Sequence, residues 1–220
     1  MQSQLAYDLT VETGLMAGMR GNFPPEVSLP IVETLLKAGI KSFEFTLNSI
    51  QAVEAMQAAK RAFGDAAAVG MGTVLKADDA RKVLDAGADF VVAPSFQRDT
   101  VEVVHAAGVL MIPGVITPTE AVDAHATGAK LIKIFPIGAL GVDYFKAVRA
   151  PLDYISFCCN GGMSDQNVGD FIRAGAAACG MANWLTGDGT WPLSKIAERA
   201  QLLLDIVAAA REGKPAAMRA

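Results

Sequence analysis

The chain has 220 residues, 52% of them hydrophobic and 19% charged, enough to bury a large core as one domain over 1-220 without disulfides or a structural metal. A net charge of −4 and a pI near 5.2, with no long basic cluster, exclude a general electrostatic attraction to nucleic acid. No apolar run approaches the roughly 20 residues of a membrane span, and the N-terminus lacks a basic stretch followed by an apolar one, so no membrane partner and a cytoplasmic location are expected.

A short apolar run, a loop, a helix-period segment and a glycine recur along the chain at intervals of about 20 residues. In chain order the expected strands are 15–19, 42–47, 67–71, 90–93, 110–112, 131–135, 155–158 and 176–180. Gly39, Gly87, Gly108, Gly128 and Gly175 follow the helical segments, where a left-handed residue ends a helix with little strain. Thr117-Pro118-Thr119-Glu120 supplies a cap, a first-turn proline and an acid, Ser164-Asp165-Gln166-Asn167 reads as a similar helix start, and 192–211 reads as the last and longest helix. Eight strands alternating with helices close more naturally as a barrel than as an open sheet, and no Gly-x-Gly-x-x-Gly motif follows the first strand. The expected fold is α/β, a single (β/α)8 TIM barrel with a short N-terminal extension.

Two ionisable residues interrupt otherwise apolar strands. In Leu131-Ile132-Lys133-Ile134-Phe135, alternation puts Lys133 on the face of Leu131 and Phe135. If that face is the lumen, desolvation favours the free amine that attack on a ketone requires; the alternative is a strand-end lysine that reaches water. In Ser42-Phe43-Glu44-Phe45-Thr46, Glu44 shares a face with Ser42 and Thr46 while the phenylalanines point to the helices. Glu44 is either an acid/base within reach of the lysine or half of a structural ion pair.

Other candidates lie after strands, at the end where barrel active sites form. Arg20 offers a fork suited to a carboxylate, and Thr73 a hydroxyl and a backbone amide. Pro94 and Pro113-Gly114 follow the fourth and fifth strands, Asn160-Gly161-Gly162 the seventh and Gly180-Met181-Ala182-Asn183 the eighth, where barrels often bind phosphate on backbone amides. His105 and His125 fall in helical segments, so neither a histidine triad nor a metal centre is expected. Cys158, Cys159 and Cys179 match no zinc or redox spacing and read as reduced core residues.

The combination and order of Met19-Arg20-Gly21, Glu44 with Leu47-Asn48-Ser49, Gly70-Met71-Gly72-Thr73-Val74-Leu75, Pro113-Gly114, Ile132-Lys133-Ile134-Phe135-Pro136 and Gly161-Gly162 resemble the 2-keto-3-deoxy-6-phosphogluconate and 2-keto-3-deoxy-6-phosphogalactonate aldolase family. The resemblance covers most of the chain. It implies a class I lyase that splits a phosphorylated keto sugar acid into pyruvate and D-glyceraldehyde 3-phosphate, with no cofactor and a homotrimeric assembly. It further implies Lys133 as the Schiff-base lysine and Glu44 as the acid/base, Arg20 and Thr73 with Pro94 and Phe135 around the substrate, and Gly161, Gly162, Gly180, Ala182 and Asn183 around the phosphate. Leu47-Asn48-Ser49 resembles the phosphogalactonate branch, since the phosphogluconate branch typically carries arginine where Asn48 stands; the alternatives are the gluconate epimer or 4-hydroxy-2-oxoglutarate. Gly180-Met181-Ala182-Asn183 departs from the family's Gly-Gly-Ser or Gly-x-Gly-Ser pattern, which puts the phosphate contact in question. A non-covalent phosphate-binding isomerase or synthase would use the same loops, but it leaves a lysine facing an acid unexplained.

Overall fold

A computed structural model describes residues 3–213. The apolar runs form parallel strands β1 (Leu15–Met19), β2 (Ser42–Thr46), β3 (Ala68–Gly72), β4 (Phe90–Val92), β5 (Leu110–Ile112), β6 (Gly114–Val115), β7 (Ile132–Ile134), β8 (Phe157–Asn160) and β9 (Ala178–Met181). Their order in the single nine-stranded sheet is β5-β4-β3-β2-β1-β9-β8-β7-β6. Because β5 and β6 are consecutive in the chain, the sheet returns on itself as the eight staves of a TIM-type barrel. The fifth stave is interrupted at Pro113, which has no N–H to give to a ladder. Below the proline Leu110, Met111 and Ile112 pair with β4, and beyond it Gly114 and Val115 pair with β7.

The helices between the strands are α2 (Pro25–Ala38), α3 (Ala52–Phe63), α4 (Ala77–Asp85), α5 (Arg98–Ala106), α6 (Pro118–His125), α7 (Gly141–Arg149), α8 (Val168–Arg173), the single turn α9 (Asn183–Thr186) and α10 (Leu193–Glu212). Phe43, Phe45, Ile132, Ile134 and Phe157 point outward and form with the helices the larger apolar core. The N-terminal extension is a helix, α1 (Ser3–Thr13), whose Ala6 packs into a second, inner cluster with Met16, Phe90, Leu110 and Leu131. It therefore plugs the base of the lumen.

Several expected boundaries move. The seventh and eighth staves begin two residues later than the apolar runs at 155 and 176: the Ile155 N–H is held in a turn by Leu152 O at 3.0 Å, and the Ala176 N–H by Phe171 O at 3.0 Å. The helix expected to start at Ser164 starts at Val168. Asn167 Oδ1 accepts the Ser164 N–H at 2.9 Å, so this stretch is a side-chain-closed turn rather than a cap followed by a helix. By contrast, Thr117 and Glu120 form a complete capping box.

Candidate active site

Lys133 and Glu44 come to the lumen from β7 and β2, as strand alternation requires. Lys133 Nζ lies 4.0 Å from Glu44 Oε1, with only 5% and 7% of the two side chains exposed. The inner apolar cluster, with Met16, Phe90, Ile112, Leu131 and Cys158, occupies the same lumen. Lys133 Nζ also sits 4.8 Å from the centre of the Phe135 ring, a distance at which the ring face attracts a cation. Burial is the main reason that the Cys158 thiol, whose residue pairs with Lys133 across the β7–β8 ladder, is pushed far above its usual range; the neighbouring Cys179 acts in the same direction. Burial thus favours the protonated thiol at Cys158, a poor nucleophile.

Glu44 owes its position to a glycine. A Cβ at Gly72 on the adjacent strand would stand 1.8 Å from Glu44 Oε1, so the carboxylate occupies space that any other residue would fill. That oxygen is buried and accepts no hydrogen bond. A buried acceptor without a donor costs about 1–3 kcal/mol, and a 4.0 Å separation is too long for Lys133 to satisfy it. The pair has the proximity of an amine and an acid/base with an unfilled hydrogen bond between them.

Arg20 follows β1 at the exposed mouth and donates from Nη2 to Thr73 Oγ1 at 3.3 Å. Thr73 holds φ +62°, a left-handed backbone that β-branched residues rarely adopt and that is common at functional loops. Pro94 and Phe135 are half-buried. Gly161 and Gly162 have φ of +88° and +77°, and the Gly161 carbonyl accepts the Gly138 N–H at 2.8 Å, so the diglycine turn is locked to the loop after β7. Gly180 is not in the final loop but in β9, where it makes room: its Cβ would stand 1.9 Å from Asn160 Nδ2. Ala182 has φ −110°, outside the left-handed region that favours glycine. Asn183 is exposed at the start of α9. His105 and His125 lie in α5 and α6, and among the described residues no group of three or more His, Cys, Asp or Glu could hold a metal ion.

The family described as "KDPG and KHG aldolase" matches residues 24–197. The chain belongs to that family. It is 35% identical over 171 residues to the 2-dehydro-3-deoxy-6-phosphogalactonate aldolase of Escherichia coli K12, covering 77% of this chain and 82% of the relative. It is 30% identical over 161 residues to the KHG/KDPG aldolase of the same strain, covering 73% and 75%. A solved structure described as native KDPGal superposes with a TM-score of 0.85 at 31% identity, covering 90% of this chain and 96% of that one. The chain is accordingly an aldolase, a carbon–carbon lyase on a TIM-type barrel.

Two residues of this aldolase's lumen escaped the strand-by-strand reading. Asn160 is the last residue of β8 rather than the start of a loop. It shares the lumen face with Cys158, is 6% exposed, and leaves Oδ1 buried without a partner. Period-two counting from Cys158 is the signal that finds it. In the sequence Gly72 is only a neighbour of Thr73; its meaning is the space it leaves for Glu44, visible only once the β2–β3 register pairs Glu44 with Gly70 and Thr46 with Gly72.

Proposed function

We propose that this aldolase is a class I enzyme that cleaves 2-keto-3-deoxy-6-phosphogalactonate to pyruvate and D-glyceraldehyde 3-phosphate through a Schiff base on Lys133. The observation that carries the proposal is the desolvated Lys133–Glu44 pair, 4.0 Å apart, in the lumen that also holds the inner apolar cluster. The free amine attacks the C2 ketone, and the carbinolamine loses water to give an iminium. Removal of the C4 hydroxyl proton then turns C4–O into a carbonyl as C3–C4 breaks, and the bond's electron pair moves onto the iminium to give an enamine. Protonation at C3 and hydrolysis release pyruvate and restore the lysine. Glu44, with its unpaired Oε1, moves these protons.

Arg20 and Thr73 serve the substrate carboxylate and nearby hydroxyls, with Pro94 and Phe135 at their sides. The phosphate is read as bound by backbone amides around Gly161, Gly162, Ala182 and Asn183, with Gly180 contributing indirectly through Asn160. The galactonate epimer is favoured by Asn48 and by the name of the 35%-identical relative. The enzyme is read as a cytoplasmic homotrimer, the assembly that the family resemblance implies.

The test is borohydride trapping with pyruvate followed by peptide mass analysis, together with kcat/KM on both C4 epimers. A reduced adduct on Lys133, lost in Lys133→Met without loss of fold, and an equal or higher kcat/KM for the galactonate epimer are expected. An adduct on another lysine would overturn the mechanism, and a strong gluconate preference would overturn the substrate.

A further inference from the structure

The turn that carries Arg20 is tied by three hydrogen bonds to the segment after β2. The Gly21 N–H donates to Ser49 Oγ at 2.8 Å. Ser49 Oγ lies 2.6 Å from Thr46 Oγ1, and Thr46 Oγ1 donates to Met19 O at 3.3 Å. Since the Thr46 proton goes to the carbonyl, the proton between the hydroxyls belongs to Ser49. The result is a one-directional chain from the Gly21 N–H through Ser49 and Thr46 to the Met19 carbonyl, closing a ring around residue 20. In such a chain each bond polarises the next. The Ile50 N–H adds a third tie, to Gly21 O at 3.0 Å.

The ring holds only backbone, and on both sides of the one charged residue in the turn. Gly21 has φ +116° with nothing within 4 Å of a would-be Cβ, so glycine is there for its left-handed backbone and not for space. The Arg20 side chain itself is exposed and has a single 3.3 Å bond to Thr73. Its aim is therefore set from below: a long, rotamer-rich side chain loses less freedom on binding if its Cα is already fixed.

We propose that Thr46 and Ser49 are positioning residues that hold the Arg20 guanidinium over the mouth of the barrel, ready for the substrate carboxylate. The inference rests on the assignment of Arg20 as the carboxylate ligand.

The test is a cycle in the full-length enzyme with Ser49→Ala, Arg20→Gln and the double variant, with Ser49→Thr as the conservative rescue. The readouts are KM, kcat and the pyruvate concentration that half-saturates borohydride trapping. Removal of the Ser49 hydroxyl, with the two hydrogen bonds it makes, should raise KM and the half-saturating concentration about fivefold, with kcat within about twofold because the contact serves ground and transition states alike. Ser49→Thr should restore both, and in the Arg20→Gln background Ser49→Ala should add almost nothing. If Arg20→Gln leaves KM unchanged, the carboxylate assignment falls and the inference with it. If Arg20→Gln raises KM but Ser49→Ala acts equally in both backgrounds, or lowers kcat instead, only the positioning role falls.

Discussion

Ser42 and Glu44 stand two residues apart on the same face of the same strand, yet their surroundings are opposite. At the level of Ser42 every hydroxyl has a partner: Thr10 Oγ1 donates to the Ala6 carbonyl at 2.8 Å and lies 2.8 Å from Ser42 Oγ, while the hydroxyls of Tyr7 and Ser156 approach to 3.3 Å. At the next level, Glu44 Oε1 and Asn160 Oδ1 are buried with none. Ser42 and Thr10 are fully buried, whereas Glu44 and Asn160 keep 5% and 6% of their surface exposed, so the upper level faces the mouth of the lumen. The base is a finished hydrogen-bonded plug, whereas the upper level keeps two acceptors open for hydrogen bonds that the protein does not make itself. On the proposed reading, the paired level supports the fold and the unpaired level carries the reaction.

The sharpest way to break this comparison is to take the charge from the open level. Glu44→Gln keeps shape and volume but removes the acid/base, and cleavage should fall by about 10²–10⁴-fold in kcat. Thermal denaturation should show the fold retained, since shape and volume are kept. Steady-state kinetics and thermal denaturation check both halves. Near-normal turnover would return Glu44 to a structural role.

A subtler change leaves Glu44 in place chemically and moves it. Gly72→Ala puts a methyl where Glu44 Oε1 now lies, 1.8 Å from the carboxylate oxygen, and the side chain must swing away from Lys133. A displacement of about 1 Å is expected to lower kcat by about 10²-fold, and in the Glu44→Gln background the same substitution should have a much smaller effect. Equal losses in both backgrounds would mean that Gly72 serves the barrel rather than the carboxylate.

The sequence makes Lys133 and Glu44 conspicuous because charge inside an apolar period-two run is rare, and alternation alone assigns each a face. Helix ends were equally legible where a local device sets them: Gly39, Gly87, Gly108, Gly128 and Gly175 all have positive φ, and the Thr117–Glu120 box is complete. What stayed hidden depends on partners distant in the chain. Asn160 beside two glycines looks like a turn until the ladder pairs it with Gly180, and Gly72 is informative only through a carboxylate on another strand. The late start of β8 and β9 reflects turns that consume the first residues of each apolar run, which hydrophobicity cannot register. Ser164 failed as a helix start because Asn167 captured its N–H.

The smallest expected effect on catalysis is at the base, and it tests the other side of the comparison. Thr10→Val is close to isosteric and removes the hydroxyl that meets both Ala6 O and Ser42 Oγ. Ser42 is fully buried, so its hydroxyl is left without a partner. The loss of stability should be about 1–3 kcal/mol, a fall of several degrees in melting temperature for a domain of this size. Adding Ser42→Ala should recover part of that loss, because removing both partners is less harmful than orphaning one. Throughout, kcat/KM should stay within about twofold of the parent at a temperature where all variants are folded. The lumen would then divide as its hydrogen bonds do: the orphan created by Thr10→Val would weaken the fold and leave the reaction alone, while the unpaired Glu44 oxygen, on the proposed reading, serves the reaction. A drop in kcat comparable to that of Gly72→Ala would show that the plug and the site are coupled through β2, and the two levels would have to be treated as one.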